Sequence, residues 1–149
     1  MAELGTVLGQ QLAPGDAVCL VGPLGAGKTT FTRGLASGLE IRGEVTSPTF
    51  VIARRHRGLR VDLLHCDAYR ISGPDEFADL DLDTDEAVTV VEWGQSVMAE
   101  ISDSWLEVAI DRSSSDDEGT RQVTVCGRGD RWTATQLDLL IAAFRRVIS

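Results

Sequence analysis

Ala17-Val18-Cys19-Leu20-Val21 runs straight into Gly22-Pro23-Leu24-Gly25-Ala26-Gly27-Lys28-Thr29, and the reading of this stretch decides the fold. The five apolar residues are bounded by Pro14-Gly15-Asp16 and by Gly22-Pro23, which suits a short strand buried on both faces, as in a parallel sheet. The turn that follows matches G-x-x-x-x-G-K-[ST] at every fixed position. A helical pattern from about Lys28 to Leu39 comes next, with Phe31, Leu35 and Leu39 on one face. Strand, glycine turn and helix in this order make a phosphate-binding loop. Glycines let backbone N–H groups converge on phosphate oxygens, and the helix adds its positive N-terminal end.

On this reading Leu24, Gly25, Ala26, Gly27, Lys28, Thr29 and Thr30 contact a nucleotide. Lys28 is expected to reach the β- and γ-phosphates, and the Thr29 hydroxyl to hold a bridging Mg2+. Lys28 is the only lysine among 14 basic residues. A chain that otherwise uses arginine keeps lysine where a compact, rotatable ammonium is needed in place of a planar fork. The same count removes the Asn-Lys-x-Asp element that reads guanine, so ATP is the expected nucleotide.

Outward from the loop, Leu4, Val7, Leu8 and Leu12 predict an opening helix over 2–13, ended by Pro14-Gly15. Downstream, 45–49 reads as loop. Phe50 to Arg55 and Leu59 to Cys66 read as a hairpin joined through His56-Arg57-Gly58. Pro74 and the seven carboxylates of 75–86 predict a short helix and then an acidic loop. Val88 to Trp93 reads as a strand, Ser96 to Ile101 as a helical turn, and Trp105 to Ile110 as a strand. Ser113 to Gly119 reads as a loop, Val123 to Cys126 as a strand, and Thr133 to Ile148 as an amphipathic helix. The expected product is one α/β domain over 1–149.

Two carboxylates stand where ligands of parallel sheets collect, at the C-terminal ends of strands. Asp67 follows Leu63-Leu64-His65-Cys66, and Glu92 follows Val88-Thr89-Val90-Val91. Both are candidates to hold the metal or position an attacking water. Trp93 fits either core or rim. Thr46, Ser47 and Thr49 read as a loop that either senses a γ-phosphate or merely connects.

Bulk composition narrows the partners. At 149 residues and 43% hydrophobic the chain suits one core, and no stretch reaches the ~20 apolar residues of a membrane span. The N-terminus lacks the basic-then-apolar pattern of a secretory signal, so a cytoplasmic location is expected. Cys19, Cys66 and Cys126 form no C-x-x-C pair and read as reduced core residues. The net charge of −9 argues against a protein that grips nucleic acid by itself.

Four elements in order carry a resemblance: Gly25-Ala-Gly-Lys-Thr-Thr30, Thr46-Ser-Pro-Thr-Phe50, His65-Cys-Asp-Ala-Tyr-Arg70 and Val91-Glu-Trp93. Together they resemble the TsaE family, the ATPases of bacterial threonylcarbamoyladenosine tRNA modification, over about residues 2–128. The resemblance implies a P-loop NTPase fold whose parallel sheet is extended by antiparallel strands. It implies ATP and Mg2+ as cofactors, with Thr29 and Glu92 as metal ligands and Asp67 as the switch carboxylate that orients or activates water. Lys28, Asp67 and Glu92 become the catalytic set, and Ser47 and Thr49 join the first switch loop. Tyr69 and Arg70 lie beside the site or face a partner. The implied partners are TsaD and TsaB, which transfer a threonylcarbamoyl group to an adenosine beside the anticodon, so tRNA is met only through that complex and no membrane is involved. Hydrolysis by the chain alone is expected to be slow.

Two departures accompany it. Gly94 stands where a proline is common after Glu-Trp, and the N-terminus begins almost at the first helix, which leaves the adenine contact unassigned. Two other functions suit the same motifs. A small-molecule kinase would need an arginine-bearing lid, for which Arg54, Arg55, Arg57 and Arg60 are candidates, although a charged sheet edge explains them as well. A nucleotide-gated binding module would turn ATP over little by itself.

Overall fold

The computed structural model describes residues 1–46, 48, 52–112 and 119–149. Six strands form one sheet: β1 Ala17–Val21, β2 Ala53–His56, β3 Asp62–Asp67, β4 Ala87–Glu92, β5 Trp105–Arg112 and β6 Arg121–Arg128. They lie side by side in the order β2-β3-β4-β1-β5-β6. The four inner strands are parallel, and β2 and β6 add an antiparallel strand at either edge. This is the mainly parallel sheet with antiparallel extensions that the family resemblance implies. β1 sits between β4 and β5, and its backbone groups are therefore paired on both sides.

Among the described residues four α-helices accompany the sheet: α1 Ala2–Gly9, α2 Lys28–Gly38, α3 Pro74–Ala78 and α4 Ala134–Ile148. Because strand side chains alternate, the sheet has two apolar faces. On one, Val18, Leu20, Leu63, Val90 and Leu106 meet Leu8 of α1, Phe31 and Leu35 of α2, and Leu140 and Phe144 of α4. Burying side chains such as Phe31 and Leu35 contributes roughly 1.5–3 kcal/mol each. On the other face Cys19, Cys66 and Val91 pack with Phe77 of α3 and with Val97 and Met98 of a short 3-10 turn.

α1 and α2 touch backbone to backbone. A Cβ placed on Gly34 would lie 1.9 Å from the Ala2 carbonyl oxygen, and one on Gly5 would lie 2.1 Å from that of Phe31. The Thr6 hydroxyl donates to the Gly34 carbonyl at 3.1 Å across this seam.

Several boundaries differ from the sequence reading. α1 ends at Gly9, before Pro14. Arg60 donates to the Gly9 and Leu12 carbonyls at 3.0 and 2.8 Å, and this side-chain cap from a distant segment satisfies groups that further helix would have used. β3 begins at Asp62, three residues later than expected, while the expected Phe50 and Val51 of the preceding strand lie outside the described residues, as do 113–118. Cys19 and Cys66 are buried as expected, but Cys126 is only half-buried because β6 is an edge strand. α4 follows its prediction closely: Thr133 caps it, with a reciprocal capping box to Gln136.

Candidate functional site

The turn after β1 needs its glycines. Gly25 and Gly27 have φ of 77° and 113°, in the region side chains disfavour, and a Cβ on Gly22 would lie 2.2 Å from the Ile110 carbonyl oxygen. Lys28 begins α2 and is buried. Its ammonium donates to the Gly22 carbonyl and, at 3.2 Å, to that of Pro23, so the side chain folds back under the turn it follows. From β6, Arg121 Nε donates to the Ala26 carbonyl at 3.1 Å and braces the same turn from outside.

β3 and β4 are parallel neighbours, and their register places Asp67 level with Glu92. Both residues therefore end their strands at one height beside the turn. The Tyr69 N–H donates to Asp67 Oδ1 at 3.0 Å, and the Ala68 N–H donates to the Glu92 carbonyl at 2.9 Å, which fixes the backbone after each strand. The Glu92 carboxylate is buried and lies 3.2 Å from the Nε2 of the fully buried His65. Trp93 has φ of 59°, uncommon for a bulky residue, and its ring lies 4.5 Å from the Lys28 ammonium. Tyr69 meets that ring edge-on at 5.3 Å. Trp93 is thus rim, 37% exposed.

Leu24, Gly25, Gly27, Lys28, Thr29, Thr30, Asp67, Glu92 and Trp93 line one cavity of about 310 Å³. The structure thereby brings together Lys28, Thr29, Asp67 and Glu92, residues up to 64 positions apart in sequence. Of the expected contacts only Ala26 points elsewhere: it is buried and lines a second, larger cavity of about 830 Å³ on the other side of the turn. That cavity is walled by Met1, Val123, Val125, Arg121 and, from α4, Phe144, and it shares Gly25, Gly27 and Thr30 with the first. Ser47 and Thr49 lie outside the described residues. Sequence reasoning did not single out Arg121 or a role for His65, since each contact joins residues far apart in sequence that no local pattern brings together.

The oxygen-bearing side chains around the smaller cavity, the hydroxyls of Thr29 and Thr30 and the carboxylates of Asp67 and Glu92, are ligands of the kind Mg2+ takes. Among the described residues no group of three His, Cys, Asp or Glu forms a metal cage. Such a donor set suits a cation that brings phosphate and water oxygens with it.

The family model described as "Threonylcarbamoyl adenosine biosynthesis protein TsaE" matches residues 1–123, which include every residue lining the smaller cavity. The chain belongs to the TsaE family. It is 51% identical over 146 residues to the tRNA threonylcarbamoyladenosine biosynthesis protein TsaE of Streptomyces coelicolor, covering 94% of this chain and 99% of that relative. It is 39% identical over 122 residues to the TsaE protein of Bacillus subtilis, covering 80% and 74% of the two chains. The crystal structure of Bacillus subtilis YdiB superposes with a TM-score of 0.68 at 28% identity, over 95% of this chain and 86% of that one. TsaE membership gives the chain a role in tRNA threonylcarbamoyladenosine biosynthesis. No helix among the described residues is long and apolar enough to cross a membrane.

Proposed function

We propose that this TsaE-family chain binds ATP with Mg2+ between the glycine turn and the ends of β3 and β4, and hydrolyses it in service of TsaD and TsaB. The observation that carries the reading is the convergence of Lys28, Thr29, Asp67 and Glu92 on one cavity. Bound Mg2+ would neutralise charge on the β- and γ-phosphate oxygens, with the Thr29 hydroxyl and the Glu92 carboxylate as its protein ligands. The turn's N–H groups and the N-terminus of α2 hold the phosphates. Lys28 leaves the Gly22 and Pro23 carbonyls to reach the terminal phosphates. Asp67 orients the attacking water and takes up its proton. The adenosine moiety extends over Gly25, Gly27 and Thr30, common to both cavities, into the larger one, whose mostly apolar walls suit a base.

Leu24 and Tyr69 at the mouth are 89% and 70% exposed, an apolar rim that a docked partner would cover while completing the site. The reading places the chain in the cytoplasm, with tRNA reached only through TsaD and TsaB. The acidic surface agrees with that division of labour.

The kinase reading loses its lid. Arg55 and Arg57 are held by Asp62 at 2.9 and 3.0 Å, and Arg60 caps α1, so three of the four candidate arginines have structural work at a sheet edge. The deciding experiment is phosphate release from ATP and Mg2+ by the chain alone and with TsaD and TsaB added. Slow release that rises on addition is expected. Unchanged release, with phosphate transferred to a small metabolite, would replace this reading with the kinase.

A further inference from the structure

We propose that His65 is a positioning residue for Glu92, holding its carboxylate in the orientation that accepts the metal. The inference rests on the reading above, in which Glu92 is a metal ligand. Leu63, His65 and Asp67 alternate with Leu64 and Cys66 along β3, so all three face the side of the sheet on which α2 packs. Val88, Val90 and Glu92 face the same side from β4, and the register sets His65 beside Val90, one step below Glu92. His65 is fully buried, and its Nε2 lies 3.2 Å from Glu92 Oε2.

With the carboxylate accepting, Nε2 is the donor. The other ring nitrogen, Nδ1, has no hydrogen-bond partner among the described residues. A buried imidazole with one nitrogen unpaired packs less favourably than a leucine at the same place, so core packing does not account for a histidine here. Among the described residues, its side-chain hydrogen bond is made to the carboxylate that the cavity needs in a fixed place. Outer groups that donate to a ligating carboxylate fix its orientation, and removing them typically weakens metal affinity 10- to 100-fold.

The test is a Mg2+ titration of fluorescent ATP-analogue binding, run beside the same binding measured in a chelator, for His65→Leu, His65→Gln, His65→Asn and Glu92→Gln. For His65→Leu the Mg2+ concentration at half-saturation is expected to rise about 10-fold, while metal-free nucleotide affinity stays unchanged. His65→Gln, whose amide nitrogen falls near the Nε2 position, should recover most of the loss, whereas the shorter His65→Asn should not. A merely structural role would lower both affinities together and give no rescue by glutamine. If His65→Leu fails to fold, the contrast between glutamine and asparagine decides the matter. A raised Mg2+ requirement in Glu92→Gln with none in His65→Leu overturns the role of His65 alone. No change in either variant overturns the metal role of Glu92, and this inference with it.

Discussion

The Lys28 ammonium sits 4.5 Å from the centre of the Trp93 ring while donating to the Gly22 and Pro23 carbonyls. Phosphates entering the cavity would draw that ammonium away from both the ring and the carbonyls. Tryptophan emission should therefore change when ATP and Mg2+ are added, and the change should vanish in Trp93→Phe while persisting in Trp105→Phe and Trp132→Phe. Steady-state fluorescence checks this. A signal that survives Trp93→Phe at full size would mean that it arises at another tryptophan and does not report the lysine leaving the ring.

Lys28→Ala removes the one ammonium in the site. Hydrogen bonds to charged groups contribute about 1.5–3 kcal/mol, so ATP affinity measured by calorimetry should fall roughly 10- to 100-fold. Asp67→Asn should behave differently, with binding kept and partner-stimulated phosphate release lost. Full release by Asp67→Asn would remove its assigned role with the water.

The glycine seam between α1 and α2 predicts a large stability effect far from any chemistry. Gly34→Ala would put a methyl group 1.9 Å from the Ala2 carbonyl oxygen, which only backbone movement relieves. Overpacking of this kind costs about 1–3 kcal/mol, so the melting temperature should fall by roughly 2–12 °C. Gly73→Ala, where an added Cβ meets nothing within 4 Å, is the control and should melt within a degree or two of the parent. Differential scanning calorimetry of the pair separates packing from general sensitivity to substitution.

Burial pushes the Cys19 thiol up to about 11 and the Cys66 thiol up to about 12, with Glu107 adding to the effect at Cys19. Half-buried Cys126 should be the thiol that reacts with a disulfide reagent in the native protein at pH 8, and all three should react after unfolding. The pH consequence has a definite sign. Above the ordinary thiol value of 9.0 the unfolded chain loses these protons while the folded chain keeps them, so stability present below that pH declines as pH rises from about 9 toward 12. Melting temperatures measured across that range should fall steadily. A flat profile would mean that the two thiols are not held protonated by the fold.

β1 and the glycine turn were legible almost to the residue because glycine and lysine at fixed spacing report local geometry, and the same holds for α4, whose cap is a local pair, Thr133 and Gln136. Asp67 and Glu92 could be chosen as strand-end carboxylates, but their level placement depends on β3 pairing with β4, which no spacing discloses. The His65–Glu92 contact and the Arg121 brace were out of reach for the same reason. The hairpin boundary moved because of one side chain. Asp62 accepts from the Gly58 N–H and from Arg55 and Arg57, and these bonds, the first foremost, hold its carboxyl below the usual carboxylate range. They hold 58–61 in a bend where apolar Leu59 and Val61 suggested strand.

The position of β1 also has a temporal meaning. It leaves the ribosome first among the strands, yet its two neighbours, β4 and β5, begin 70 and 88 residues after it starts. Pairings so distant in sequence close slowly, and until they close the glycine turn is tethered to an unpaired strand with no carboxylate beside it. A growing chain that stops short of Glu92 therefore carries the complete glycine turn without the strand and carboxylate that stand beside it in the folded sheet, and that setting is finished only once β4 has entered between β3 and β1 and β5 has paired on the far side of β1.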